Sequence, residues 1–156
     1  MKKSSIEFED IIGRYLNISV ADENYRIYVE EAGKGIPLLC LHTAGSDGRQ
    51  FRHILNDKKI TKNYRVIAFD LPWHGKSNPP EGYELKDYKL TTSLYKQIIM
   101  SFCDNYKLRD PVIMGCSMGG RVVLHLALEH SNYFKAVIAL EGSDKLEPYY
   151  DLDWLY

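Results

Sequence analysis

The stretch 111–128 constrains this chain more than any other. The apolar run Pro111-Val112-Ile113-Met114 meets Gly115-Cys116-Ser117-Met118-Gly119-Gly120 and passes directly into Val122-Val123-Leu124-His125-Leu126-Ala127-Leu128. This reads as a buried strand, a tight turn and a helix, with a serine at the apex. A serine on so sharp a strand-to-helix turn takes a strained backbone conformation, and the residues two before and two after it crowd each other. Only residues without bulk fit there, which accounts for Gly115 and Gly119, while Gly120 lets the helix approach the sheet. A serine that merely caps a helix needs neither flanking glycine nor a preceding buried strand. The pattern therefore points to a serine presented for chemistry.

The remaining chain supplies a frame for that turn. Residues 14–20 and 25–31 alternate apolar and polar positions around Ala21-Asp22-Glu23-Asn24, which predicts an antiparallel hairpin at a sheet edge. Residues 36–41 form an almost unbroken apolar run, as expected of a strand buried on both faces of a parallel sheet. It ends in His42-Thr43-Ala44-Gly45, a loop of mostly small residues, and residues 50–55 follow as a short helix. A second buried strand is expected over 64–69, then a loop through Leu71-Pro72-Trp73-His74-Gly75-Lys76-Ser77-Asn78-Pro79-Pro80. Leu90, Leu94, Ile98 and Phe102 recur at helical spacing within 89–106. After the serine turn and its helix, 135–140 is another apolar strand. Strands alternating with helices predict an α/β fold, a mainly parallel twisted sheet with helices on both faces and right-handed crossovers.

With 156 residues, 45% hydrophobic and 26% charged, the chain has the composition of one ordinary globular domain. A net charge of −1 gives no reason to invoke nucleic acid or an anionic membrane, and no apolar run approaches the roughly 20 residues that span a bilayer. Cys40, Cys103 and Cys116 are odd in number and lack paired spacing, which suits reduced packing residues in a cytoplasmic protein. The five histidines show no ligand spacing, so neither a metal nor another cofactor is expected. Gly75-Lys76-Ser77 is not the end of a phosphate-binding loop, because Asp70 stands where the first glycine belongs. Gly115, Ser117 and Gly120 also fail as a dinucleotide fingerprint, whose middle glycine must approach the pyrophosphate.

The order of these features resembles the α/β-hydrolase superfamily: the loop at His42, the segment from Asp70 to Ser77, the turn 115–120 and the following strand. The resemblance runs from about Asn24 to Glu141. It implies Ser117 as nucleophile, on an elbow built by Gly115, Gly119 and Gly120, with the backbone N–H groups of Met118 and Ala44 as oxyanion donors. It also implies a small-molecule substrate carrying an ester, thioester or related acyl bond, with C–C bond hydrolysis left open. Serine at the apex excludes the carboxylate nucleophile of related dehalogenases and epoxide hydrolases, and Cys116 does not occupy the apex.

Two departures from the family pattern matter. The family commonly has His-Gly where this chain has His42-Thr43, leaving open which N–H faces the oxyanion. More importantly, the triad runs in the order serine, acid, histidine, and the only histidines after Ser117 are His125 and His130, both on the elbow helix, which leads away from the serine. Glu141 matches the place where some relatives carry their acid and is the alternative acid here; His42 and His74 are expected to be structural. The expectation is an N-terminal portion of a hydrolase, residues 1–140 belonging to the core domain and 141–156 beginning a cap or linker, with the C-terminal strands, the cap and the catalytic base lacking. The alternative is a catalytically incomplete module that associates with another chain, including by self-association through an open sheet edge.

Overall fold

In the computed structural model, which describes residues 8–143, six strands form one sheet. They are β1 (Ile12–Val20), β2 (Glu23–Ala32), β3 (Ile36–Leu41), β4 (Tyr64–Phe69), β5 (Val112–Cys116) and β6 (Ala136–Leu140). Their order across the sheet is β1-β2-β4-β3-β5-β6. The pairs β1–β2 and β2–β4 are antiparallel, and the rest of the sheet is parallel. The helices are α1 (Arg52–Asn56), α2 (Lys58–Thr61), α3 (Thr92–Asn105) and α4 (Met118–Glu129). Of the expected cap or linker, 141–156, residues 144–156 lie outside the described residues.

The unbroken apolar runs are explained by two cores that share the central strands. Leu39 and Leu41, Ile67 and Phe69, and Ile113 face one side, where α3 brings Tyr95, Ile98 and Phe102 and α4 brings Val122, Val123 and Leu126. Phe69 stacks on Phe102 with ring centroids 4.6 Å apart. The alternate residues Leu38 and Cys40, Val66 and Ala68, and Val112 and Met114 face the other side, under Phe51 and Leu55 of the short helical segment. Strand residues alternate faces, so a strand buried on both sides needs no polar position, and helices cover both faces as expected.

The hairpin is longer than its alternation predicted. A two-residue turn at Ala21-Asp22, with φ of 51° and 63°, joins strands that run on to Val20 and from Glu23. Two positive φ angles in a row match the twist of paired strands. Helix α3 starts later than its periodicity suggested, because the Thr91 hydroxyl accepts the Leu94 N–H at 3.1 Å and caps it.

Candidate active site

Ser117 is exposed and sits between β5 and α4 with φ 52° and ψ −111°, a conformation L-residues rarely hold. Its N–H donates to the Leu140 carbonyl at the end of β6 (2.8 Å), and its own carbonyl accepts the Arg121 N–H (2.8 Å). The glycines around it are there for lack of room. A Cβ on Gly115 would run into the Gly119 carbonyl, which is the crowding expected across the apex. A Cβ on Gly119 would stand 2.6 Å from the Leu41 carbonyl oxygen, and one on Gly120 2.5 Å from that of Leu140. The elbow is thus wedged between the ends of β3 and β6.

This wedge brings the sequence-identified segments together. Gly115 pairs with Leu41 in the parallel register, so the loop that follows β3 leaves the sheet beside the elbow. In that loop the Thr43 N–H donates to the Gln50 side-chain oxygen (2.9 Å) and is therefore occupied; the next residue, Ala44, is exposed. Met118 is buried as the first residue of α4. Glu141 directly follows Leu140, is exposed, and has φ 52°.

His42 is fully buried, and both ring nitrogens are taken. Nε2 accepts the Leu71 N–H at 3.1 Å, which fixes the proton on Nδ1, where it is donated to the Thr43 carbonyl at 2.8 Å. Burial is the main cause that pushes its pKa down to about 4, so the ring is neutral near pH 7. His74 lies beside it, ring centroids 5.1 Å apart, with Nδ1 on the Pro72 carbonyl (2.9 Å). Among the described residues no histidine is bonded to the Ser117 hydroxyl.

Periodicity gave no hint of the buried carboxylate that holds the neighbouring loop. Asp70 accepts the Gly48 N–H and the Lys76 N–H, both at 2.7 Å. The Ser77 hydroxyl donates to the Asp70 carbonyl (2.6 Å) and accepts the Tyr28 N–H (2.8 Å), tying the loop to β2. Burial raises the Asp70 pKa against the lowering effect of those amides. The only signal in the sequence was a lone aspartate at the end of an apolar strand. Among the described residues no group of three or more His, Cys, Asp or Glu is arranged to hold a metal, and no helix is long and apolar enough to cross a membrane.

A mixed, mainly parallel sheet with helices on both faces, carrying a serine on a strained turn after its fifth strand, defines a fold class, and residues 36–155 match the family model for the alpha/beta hydrolase fold. The chain belongs to that family. It is 28% identical over 120 residues to the AB hydrolase superfamily protein YisY of Bacillus subtilis, covering 76% of this chain and 41% of that protein. It is 25% identical over 119 residues to a pimeloyl-[acyl-carrier protein] methyl ester esterase of Vibrio cholerae, covering 76% and 42%. The chain thus spans about two fifths of the length of these relatives. Among solved structures, a thermophilic esterase from Thermogutta terrifontis superposes with a TM-score of 0.74 at 19% identity, covering 87% of this chain and 48% of that one. An epoxide hydrolase from Vigna radiata gives 0.68 at 22%, covering 82% and 39%. At these identities the structural likeness speaks to the fold. These relatives and structural neighbours carry hydrolase or esterase names, in keeping with the alpha/beta hydrolase family to which the chain belongs.

Proposed function

We propose that Ser117 is the nucleophile of a serine hydrolase that cleaves an ester, thioester or related acyl bond, with no cofactor. The observation that carries this reading is the exposed serine at φ 52°, held by glycine contacts that admit no Cβ. Its Oγ attacks the acyl carbonyl carbon while a general base takes the hydroxyl proton. The negative charge that forms on the carbonyl oxygen is met by the N–H groups of Met118 and Ala44, the latter favoured because the Thr43 N–H is spent on Gln50. Collapse expels the leaving alkoxide or thiolate, which picks up the proton, and water then hydrolyses the acyl-Ser117 ester.

His42 cannot be that base, having no free nitrogen, and His125 and His130 lie along and at the end of α4. In this reading the base is supplied by polypeptide beyond the 156 residues, and 141–156 begin a cap or linker; Glu141, at the end of β6, remains the alternative acid. Three free cysteines, with the Cys40 and Cys103 thiols pushed up to about 12 by burial, suit a cytoplasmic setting. A fluorophosphonate is expected to add its mass to Ser117 in a polypeptide that joins this chain to its base, and to leave Ser117→Ala unlabelled. A folded polypeptide of that kind that takes no label overturns the reading.

A second reading is favoured by β6. Among the described residues it pairs only with β5, and Ile138 and Leu140 on its outer face are 40% and 44% exposed. Two copies joined antiparallel about Ile138 would set Lys135 of each against Glu141 of the other and merge the two apolar stripes. Size-exclusion chromatography of the 156-residue chain separates the readings: a dimer that Ile138→Lys dissolves supports association, and a stable monomer overturns it.

A further inference from the structure

Trp73 is the third residue of a turn closed by the His74 N–H on the Leu71 carbonyl (3.0 Å), with Pro72 second and Trp73 at φ 69°. That position of the turn calls for a positive φ and is normally given to glycine or asparagine. A tryptophan there carries a cost of about 1–3 kcal/mol that its surroundings must offset. The indole is held edge-on by Tyr83 (5.3 Å) and packs against Tyr88 (5.2 Å). What the strained residue provides is one wall of a cavity of about 210 Å³. Its other walls include Tyr25, Tyr88, Leu90, Leu94 and Ile98.

We infer that this cavity is a binding site for an uncharged, single-ring aromatic molecule. Size sets the first limit: the cavity is half open to solvent, and its volume suits one ring and not a larger body, since roughly 150 Å³ holds a benzene ring. Charge sets the second. The lining carries Glu23 and Asp87 against Lys86 and Lys89, and Lys86 is paired with Glu23, so the site has no net charge to attract a carboxylate or an ammonium group. Aromatic walls supply the third, because Trp73 and Tyr88 offer faces and edges on which a ring stacks. The site is separate from the serine elbow. None of its lining residues belongs to the elbow or to the loop after β3; the nearest link is a chain of rings from Tyr88 in its wall through His74 to His42, with centroids 6.1 Å and then 5.1 Å apart.

The test reads binding, not turnover. Fluorine NMR of 4-fluoroanisole is followed as wild type, Ser117→Ala and the cavity-filling variants Leu94→Trp and Leu90→Phe are added, each checked for folding by circular dichroism. Wild type and Ser117→Ala should bind equally, whichever folded filling variant is obtained should bind at least about tenfold more weakly, and 4-fluorobenzoate should be weaker than 4-fluoroanisole by a similar factor. No binding by wild type, unchanged binding by a folded filling variant, loss in Ser117→Ala, or equal binding of the benzoate would each overturn the inference. Because Ser117→Ala is expected to bind, failure of the hydrolase reading leaves this result legible.

Discussion

His42 is a neutral ring whose two hydrogen bonds join the loop after β3 to the loop after β4. Its folded pKa, about 4, lies below the ordinary histidine value of 6.5, so the unfolded chain binds the extra proton between these two pH values. The stabilisation is complete above pH 6.5 and is lost progressively as pH falls toward 4, by up to about 3 kcal/mol. Urea midpoints measured across that range should decline, and His42→Asn should flatten the part of the decline that this ring causes. Gly119 makes a second residue-scale prediction. Because the obstacle to a Cβ is the Leu41 backbone and not a movable side chain, Gly119→Ala should cost about 2 kcal/mol, read by urea unfolding. The glycine pattern was legible in the sequence because steric exclusion leaves one residue type at each place. The resemblance implied a structural His42, but its hydrogen-bond partners and the role of Asp70 were not legible, since a buried hydrogen-bond network leaves no periodic trace.

At the scale of elements, β3 and β4 could be read to the residue because their apolar residues run without alternation, Arg65 at the start of β4 being the one charged exception, and end where the strands end. The hairpin turn could not, because Ala21-Asp22 lacks the glycine that usually marks consecutive positive φ angles. Helix α2 was missed for a different reason: its four residues are too few to establish a period. Packing between elements also depends on a charge cluster that no strand pattern announces. Glu31 of β2 is buried and accepts the Arg65 Nε–H of β4 at 2.6 Å, with Arg14 of β1 3.4 Å away and the Arg65 guanidinium over the Tyr106 ring. Removing Arg65 leaves the buried carboxylate with Arg14 alone, so Arg65→Met should destabilise the fold by about 2 kcal/mol. The double variant with Glu31→Gln should recover part of that loss, as a double-mutant cycle in urea would read.

For the whole molecule, protection should follow position in the sheet. The central strands β3, β4 and β5 lie between two cores, whereas β6 has an exposed outer face and pairs on one side among the described residues. Native-state hydrogen exchange should therefore find the slowest amides in β3 and β4 and markedly faster ones in β6. Slow exchange throughout β6 in a monomer would contradict this ordering. The α/β architecture was legible from the succession of buried runs and helical spacings, while the strand order, with β3 inserted between β4 and β5, depends on long-range pairing that no local window contains.

The bond from the Ser117 N–H to the Leu140 carbonyl ties the apex of the elbow to this outermost strand. A displacement of the end of β6, an edge strand with an exposed outer face, would therefore be felt directly at the backbone of the serine turn.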